Sequence, residues 1–210
     1  MPIALKEWAV TVRALAEGEQ LLTLRKGGIR EENKHFELIG RRFFLYPTFD
    51  HQQAGLVRES HIPELKRALE DGVWNPPAPT ARMMESGVPV EQPVSVRLRA
   101  WAEVVDSYEV STPGVVESLS PYHVWTGDYA KKRFDWKPRH PLHVLVLRTY
   151  RIPRPVTIRV EPEYLGCKSW VEVKRALAFE GTAVLSDTEF ASVREDIASR
   201  LNQAGLAAAS

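Results

Sequence analysis

The stretch 94-VSVRLRAWAEVV-105 places Val94, Val96, Leu98 and Ala100 on one side of an extended chain and Arg97, Arg99 and Trp101 on the other. Strict alternation of this kind is the period of a strand with one face buried and one face in solvent. Working outward, HVLVLRTYRI (143–152) reads as a buried strand emerging into a polar end, and PVTIRV (155–160) and SWVEVKRAL (169–177) add further strands. Towards the N-terminus, QLLTLR (20–25) and RRFFLYPTF (41–49) are two more, with Pro47 at or near an edge because it cannot donate to a ladder.

Helices interrupt these strands. Leu5, Trp8, Ala9, Val12, Leu15 and Ala16 recur at helical spacing, so residues 4–16 predict an amphipathic helix ended by Gly18, although Trp8, Val10 and Val12 also alternate as in a strand. IPELKRALEDG (62–72) has Pro63 in its first turn, Leu65 and Leu69 on one face and Gly72 as a stop. Thr112-Pro113 and Ser120-Pro121 each read as an N-cap followed by proline, the second opening a helix from Pro121 to about Phe134. The last helix begins with a Ser186-to-Glu189 capping box, carries a stripe of Phe190, Val193, Ile197 and Leu201, and runs out at Gly205. The fold class expected is therefore α+β: mixed, largely antiparallel sheet, an N-terminal helix, two or three mid-chain helices and a C-terminal helix. Residues 1–185 read as a single domain, with an N-terminal lobe (1–71), a crossing of five prolines (72–93) and a C-terminal lobe (94–185). The helix of 186–210 follows.

Composition excludes several classes. An apolar content of 44% and a charged content of 26% in 210 residues are ordinary globular values. The start, MPIALKEWAV, has no basic stretch followed by an apolar one, and no apolar run approaches the roughly 20 residues of a membrane span. Cys167 stands alone, which rules out an internal disulfide and predicts a cytoplasmic protein.

The net charge of +1 hides a segregation. Nine cations between residues 131 and 159 face only Asp135, so that window carries +8, while the remaining 19 cations and 26 anions give −7. The densest part is KKRFDWKPRH (131–140). Lys131, Lys132, Arg133, Lys137 and Arg139 are thus candidate phosphate contacts, extended by Arg148, Arg151 and Arg154, with Trp125, Tyr129 and Trp136 as candidate base-stacking platforms. DNA or RNA is the expected partner; the competing reading is a solvated strand face and lysines that favour a helix C-terminus.

Four other constellations carry chemistry. Arg25, Lys26, Gly27 and Gly28 follow a strand as an anion-binding loop would, but lack the Gly-Lys-Ser/Thr ending of a P-loop, so a hairpin turn is the simpler reading. Asp50 and His51 are adjacent on an extended chain and point opposite ways, which favours a turn over a shared site. His140 and His143 lack the Cys or carboxylates that would complete a zinc set, so no metal site is expected. Glu163, Glu172 and Lys174 form an acid followed by acid-x-lysine, the pattern of Mg2+-dependent nucleases of the restriction type, and Glu172 and Lys174 share a strand face. Mg2+ is a cofactor only on that alternative; a binding module without a cofactor is preferred, and a protein-interaction module with the last helix as a dimer seam is the third class.

Leu5-Lys6-Glu7-Trp8, Leu24-Arg25-Lys26-Gly27-Gly28-Ile29, Tyr46-Pro47-Thr48-Phe49-Asp50-His51-Gln52 and Gly166-Cys167-Lys168-Ser169-Trp170 together resemble an uncharacterised bacterial family, domain of unknown function DUF1802. The resemblance spans about residues 3–175. It implies an accessory role beside restriction-endonuclease-like domains, hence a restriction-endonuclease partner and DNA-directed defence, and it supplies no catalytic residues.

Overall fold

Two long antiparallel strands, β5 (Ser95–Val110) and β6 (Leu142–Arg159), form the middle of the sheet. The computed structural model describes residues 1–26, 38–50, 52–80, 83, 91–110, 112–136 and 140–204. Six strands lie in the order β2-β6-β5-β3-β1-β7, with β1 Ile3–Trp8, β2 Leu22–Arg25, β3 Arg42–Thr48 and β7 Trp170–Glu172. The short β4 (Gly72–Val73) pairs with β5, and β8 (Thr182–Ala183) pairs with β6. Every pairing among the described residues is antiparallel except β1 with β3. The sheet is therefore mixed and largely antiparallel, as the alternating segments predict.

The strict alternation of 94–105 breaks inside β5. Leu98 pairs with Val156, but Ala100 pairs with Arg151, so Ile152–Pro155 are opposed by Arg99 alone. Pro153 and Pro155 cannot donate to a ladder, and the chain bulges where they fall. The bulge reverses the faces: Val96, Leu98 and Trp101 belong to one apolar cluster, Ala100, Ala102 and Val104 to the other. Trp101, expected on the solvent side, is consequently buried between Tyr150, stacked at 3.9 Å, and Phe179. HVLVLRTYRI and PVTIRV are one strand rather than two, and SWVEVKRAL contributes only three paired residues.

The N-terminal helix is shorter than its periodicity predicts. Residues 3–8 are strand, and α1 covers Ala9–Glu17, closed by Gly18 at φ 83°. Ala4 and Leu5 are both fully buried on opposite faces of β1, and a short strand covered on both sides has the composition of a buried helix. Helix α2 (Ile62–Ala68) lies as expected and tightens into a 3-10 turn, Leu69–Asp71. Thr112-Pro113 opens α3 (Pro113–Ser118), but Ser120–Tyr122 is only a 3-10 turn, and α4 begins at Gly127 and ends at Asp135. The intervening backbone is taken: Arg58 N–H donates to Val124 O and Thr126 N–H to Leu56 O, so 123–126 is held extended.

Helix α5 (Asp187–Gln203) has the expected capping box and turns Phe190, Ile197 and Leu201 into the core. Arg194 grips Asp106 with two bonds of 2.6 and 2.7 Å, and Tyr122 bonds Asp196. The apolar stripe proposed as a dimer seam is thus used within the chain; Gly205 lies outside the described residues. No helix among the described residues is long and apolar enough to cross a membrane.

Candidate functional site

The parallel pair β1 and β3 ends at Trp8 and Thr48, and beyond those ends a cleft of about 240 Å3 opens. Ligands of open sheets bind in such a crevice at the carboxyl ends of parallel strands. One wall comes from the loop after the 3-10 turn Pro162–Tyr164, which brings Gly166, Cys167 and Lys168 to the cleft. Helix α4 contributes Arg133, and the end of β2 contributes Arg25.

The loop wall is fastened by Lys6. Its ammonium donates to the carbonyls of Tyr164 and Gly166, both at 2.7 Å, which leaves one of its three N–H groups for the cleft. Burial pulls Lys6 down to about 8, partly offset by Asp50. Beside it Glu7, 3% exposed, accepts from Trp8 N–H (2.9 Å), the Thr23 hydroxyl (2.5 Å) and Arg25 (2.8 Å). Arg25 also donates to Lys6 O at 2.7 Å, while its buried Nε has no partner. Asp50 accepts from Gln92 at 2.6 Å. Arg133 lies over the Tyr129 ring at 5.0 Å and donates to its hydroxyl at 2.8 Å. Four cations, Lys6, Arg25, Arg133 and Lys168, therefore face two carboxylates, Glu7 and Asp50, a formal surplus of +2.

The structure divides the basic window of 131–159. Lys131 and Lys132 are exposed on α4, and Lys132 reaches Gln53 at 3.0 Å. Lys137 and Arg139 lie outside the described residues. Arg148 pairs with Asp187 and sits over Tyr150 and Phe190. Arg151 donates to Ala16 O at 2.9 and 3.2 Å, capping the last turn of α1. Arg154 is exposed on β6. Arg25 pairs with His143, and at about 3.3 Å per residue Arg148 lies roughly 17 Å and Arg154 roughly 36 Å further along β6. Among the described residues, the cations of the window are therefore spread along α4 and β6.

The aromatic candidates are also divided. Trp125 and Tyr129 are 1% and 2% exposed, stacked on each other at 4.5 Å, with Trp8 at the Tyr129 edge and Thr11 accepting from the Trp125 indole. Both are core, and neither offers a face to a base; Trp136, 37% exposed at the end of α4, does present surface. Gly127 places the helix start so that residue 129 points inward, which the longer expected helix obscured.

Of the expected anion-binding loop, Arg25 is committed to Glu7, and Lys26 is buried, donating to the carbonyls of Arg133 (3.1 Å) and Phe134 (2.8 Å) at the end of α4. Gly27 and Gly28 lie outside the described residues, as does His51. Gln52, two residues after Asp50, turns inward and accepts from Val10 N–H at 3.2 Å in the first turn of α1. Glu163, Glu172 and Lys174 do meet, around a second cleft of about 300 Å3 on the other side of the Lys168 loop. There Lys174 pairs with Glu163 at 2.7 Å, which holds the Glu163 carboxyl below and the Lys174 ammonium above their ordinary ranges. Among the described residues no three His, Cys, Asp or Glu cluster so as to hold a metal ion.

A family model described as domain of unknown function (DUF1802) matches residues 4–196. The chain belongs to DUF1802. No curated protein sequence matches this DUF1802 chain. Two crystal structures of ZmASCH mutant proteins from Zymomonas mobilis superpose with TM-scores of 0.44 and 0.45 at 8% and 9% identity, covering 83% of this chain and 89% and 91% of theirs. Lys6 and Lys168 were not singled out by charge spacing, because each stands apart from the basic window. The signal that could have found them lay in the stretches that carry the DUF1802 resemblance: all four send residues to the first cleft or its rim.

Proposed function

We propose that this protein is a cytoplasmic nucleic-acid-binding module that meets the phosphate backbone at the first cleft and along the exposed side of α4. The observation that carries the reading is the surplus of cations over carboxylates at that cleft, continued by Lys131 and Lys132 on the adjoining helix. Cations in that position neutralise phosphates, and Trp136 supplies an exposed aromatic against which an unpaired base stacks. An accessory role beside a restriction endonuclease, implied by the DUF1802 resemblance, fits a module that grips the polyanion.

The test is binding of labelled DNA and RNA oligonucleotides across a salt series. With about four phosphates engaged, log K falls against log salt with a slope of about −2.8 for single strands and about −3.6 for duplex. The combined substitution Lys131→Ala, Lys132→Ala and Lys168→Ala flattens that slope, whereas Arg148→Ala leaves it unchanged. A flat salt response in the parent protein rejects the reading.

A second reading rests on the meeting of Glu163, Glu172 and Lys174 at one cleft. As a nuclease, the two carboxylates would hold Mg2+ and the lysine would stabilise phosphate charge, once the Glu163–Lys174 pair opens. Plasmid left intact with Mg2+, by the parent protein and by Glu172→Ala alike, removes it.

A further inference from the structure

We infer that the first cleft prefers the phosphate monoester at the end of a nucleic-acid strand to the diester phosphates within it. The inference rests on the nucleic-acid reading above and adds which phosphate the cleft selects.

Charge comes first. Glu7 is shared between Arg25, at 2.8 Å, and Arg133, Asp50 lies opposite the half-buried Lys6, and Lys168 donates to the Glu163 carbonyl, so the cleft as a whole keeps two cations more than carboxylates. A monoester carries roughly −1.5 to −2 at neutral pH, matching that surplus of two, whereas an internal diester carries a single charge. Donors come second. Lys6 has spent two of its three N–H groups on the loop carbonyls, so its position is fixed and its third is available. Arg133 gives one bond to Tyr129 and keeps the rest of its fork, the shape that grips a phosphate with two parallel bonds. The buried Arg25, whose Nε has no partner, adds fixed positive charge at the floor.

Space comes third. About 240 Å3 is the volume of about eight water molecules. That holds a phosphate and its one attached sugar. The β1 and β3 ends close one side, and the 166–168 loop, pinned by Lys6, closes another. An internal phosphate would have to seat a sugar on each side of it between those two walls. Lys131 and Lys132 then lie where the remainder of the strand leaves the cleft.

The experiment compares one short single-stranded oligonucleotide in three forms: unphosphorylated, 5′-phosphorylated and 3′-phosphorylated. Adenosine monophosphate and inorganic phosphate serve as competitors. One phosphorylated form is expected to bind about tenfold or more tightly than the unphosphorylated strand, the effect of a charge-assisted hydrogen bond. Lys168→Glu, at a half-buried loop position, and separately Arg133→Gln should equalise the three forms as well as weaken them, whereas Lys131→Ala with Lys132→Ala should weaken all three alike and keep the preference. Equal affinity for all three forms overturns the inference and leaves the nucleic-acid reading standing. Competition by adenosine monophosphate with no binding of any strand overturns both, because the phosphate would then come from a free nucleotide. Where Arg133→Gln fails to fold, Lys168→Glu decides the matter alone.

Discussion

Two groups of charges lie along α1 and behave differently. Around Arg13, four carboxylates, Glu17, Glu64, Glu70 and Asp71, stand within 4.0 Å of the guanidinium, and Arg99 joins Asp71 from β5. At the cleft, beside the N-terminal end of the same helix, four cations face two carboxylates. In the first group the acids outnumber the arginines, and its centre, Arg13 with Asp71, is buried; in the second the cations are in surplus and the space is open. A cation's place in the sequence is therefore a poor guide to its use. What decides is how many acids the fold delivers to it.

The sharpest break of that contrast is Asp71→Ala. Asp71 is fully buried between Arg13 and Arg99, and removing it leaves two guanidinium groups facing a cavity. Breaking a buried pair from one side costs about 3–5 kcal/mol. Urea unfolding should show a lower midpoint at an unchanged slope, while oligonucleotide affinity of the folded fraction stays the same. Lys168→Ala, at the half-buried cleft rim, should do the reverse, weakening binding while the loss of its bond to the Glu163 carbonyl lowers stability by about 1 kcal/mol or less.

Next in size is a pH effect at a buried imidazole. Burial, reinforced by the nearby Arg58, pulls the His123 imidazole from 6.5 down to about 4. The unfolded chain takes up a proton near pH 6.5 and the folded chain resists until about pH 4. Stability from this group is thus complete above pH 6.5 and lost as pH falls towards 4, about 3 kcal/mol over the whole window. Denaturation midpoints measured from pH 7 to pH 4.5 should fall, and should fall less in His123→Gln. At the cleft, by contrast, titration reads out in binding. Lys6 loses its charge as pH rises through about 8, so affinity for an oligonucleotide should drop by about tenfold between pH 7 and pH 9.5.

The difference between the two regions also explains what could be read from the sequence. The strand segment 94–105, the start of α2 and the Ser186–Glu189 box are local patterns, and each element appears where its residues place it, with the faces of β5 reversed only past its bulge. The failures are long-range. Residues 3–8 become strand because β3 and β7 flank them, and Pro121–Thr126 stays out of α4 because residues 56–58 bind its backbone. The cleft depends on Lys6 reaching Tyr164 and Gly166, some 160 positions away, a contact that no window of sequence contains. Arg133 was found through its neighbours' charge, yet it lies in the cleft because Tyr129 beneath it is buried.

The smallest expected effect tests whether the arginines of β6 belong to the sealed class or the open one. Arg151 donates two bonds to Ala16 O, satisfying a carbonyl that the last turn of α1 leaves without an intrahelical partner. Arg148 meets Asp187, whose side chain is 90% exposed, so that pair is screened and contributes at most about 1 kcal/mol. If these residues are structural, Arg151→Ala lowers stability by about 1 kcal/mol, Arg148→Ala by less, and neither changes the salt slope of oligonucleotide binding. Were they part of a polyanion face, each loss would instead remove one phosphate contact and reduce the magnitude of the slope by about 0.7 on single strands. The register argues for the first outcome: Arg148 and Arg151 lie roughly 17 and 26 Å along β6 from the level of the cleft, and each is turned towards a partner on a different helix, α5 for one and α1 for the other.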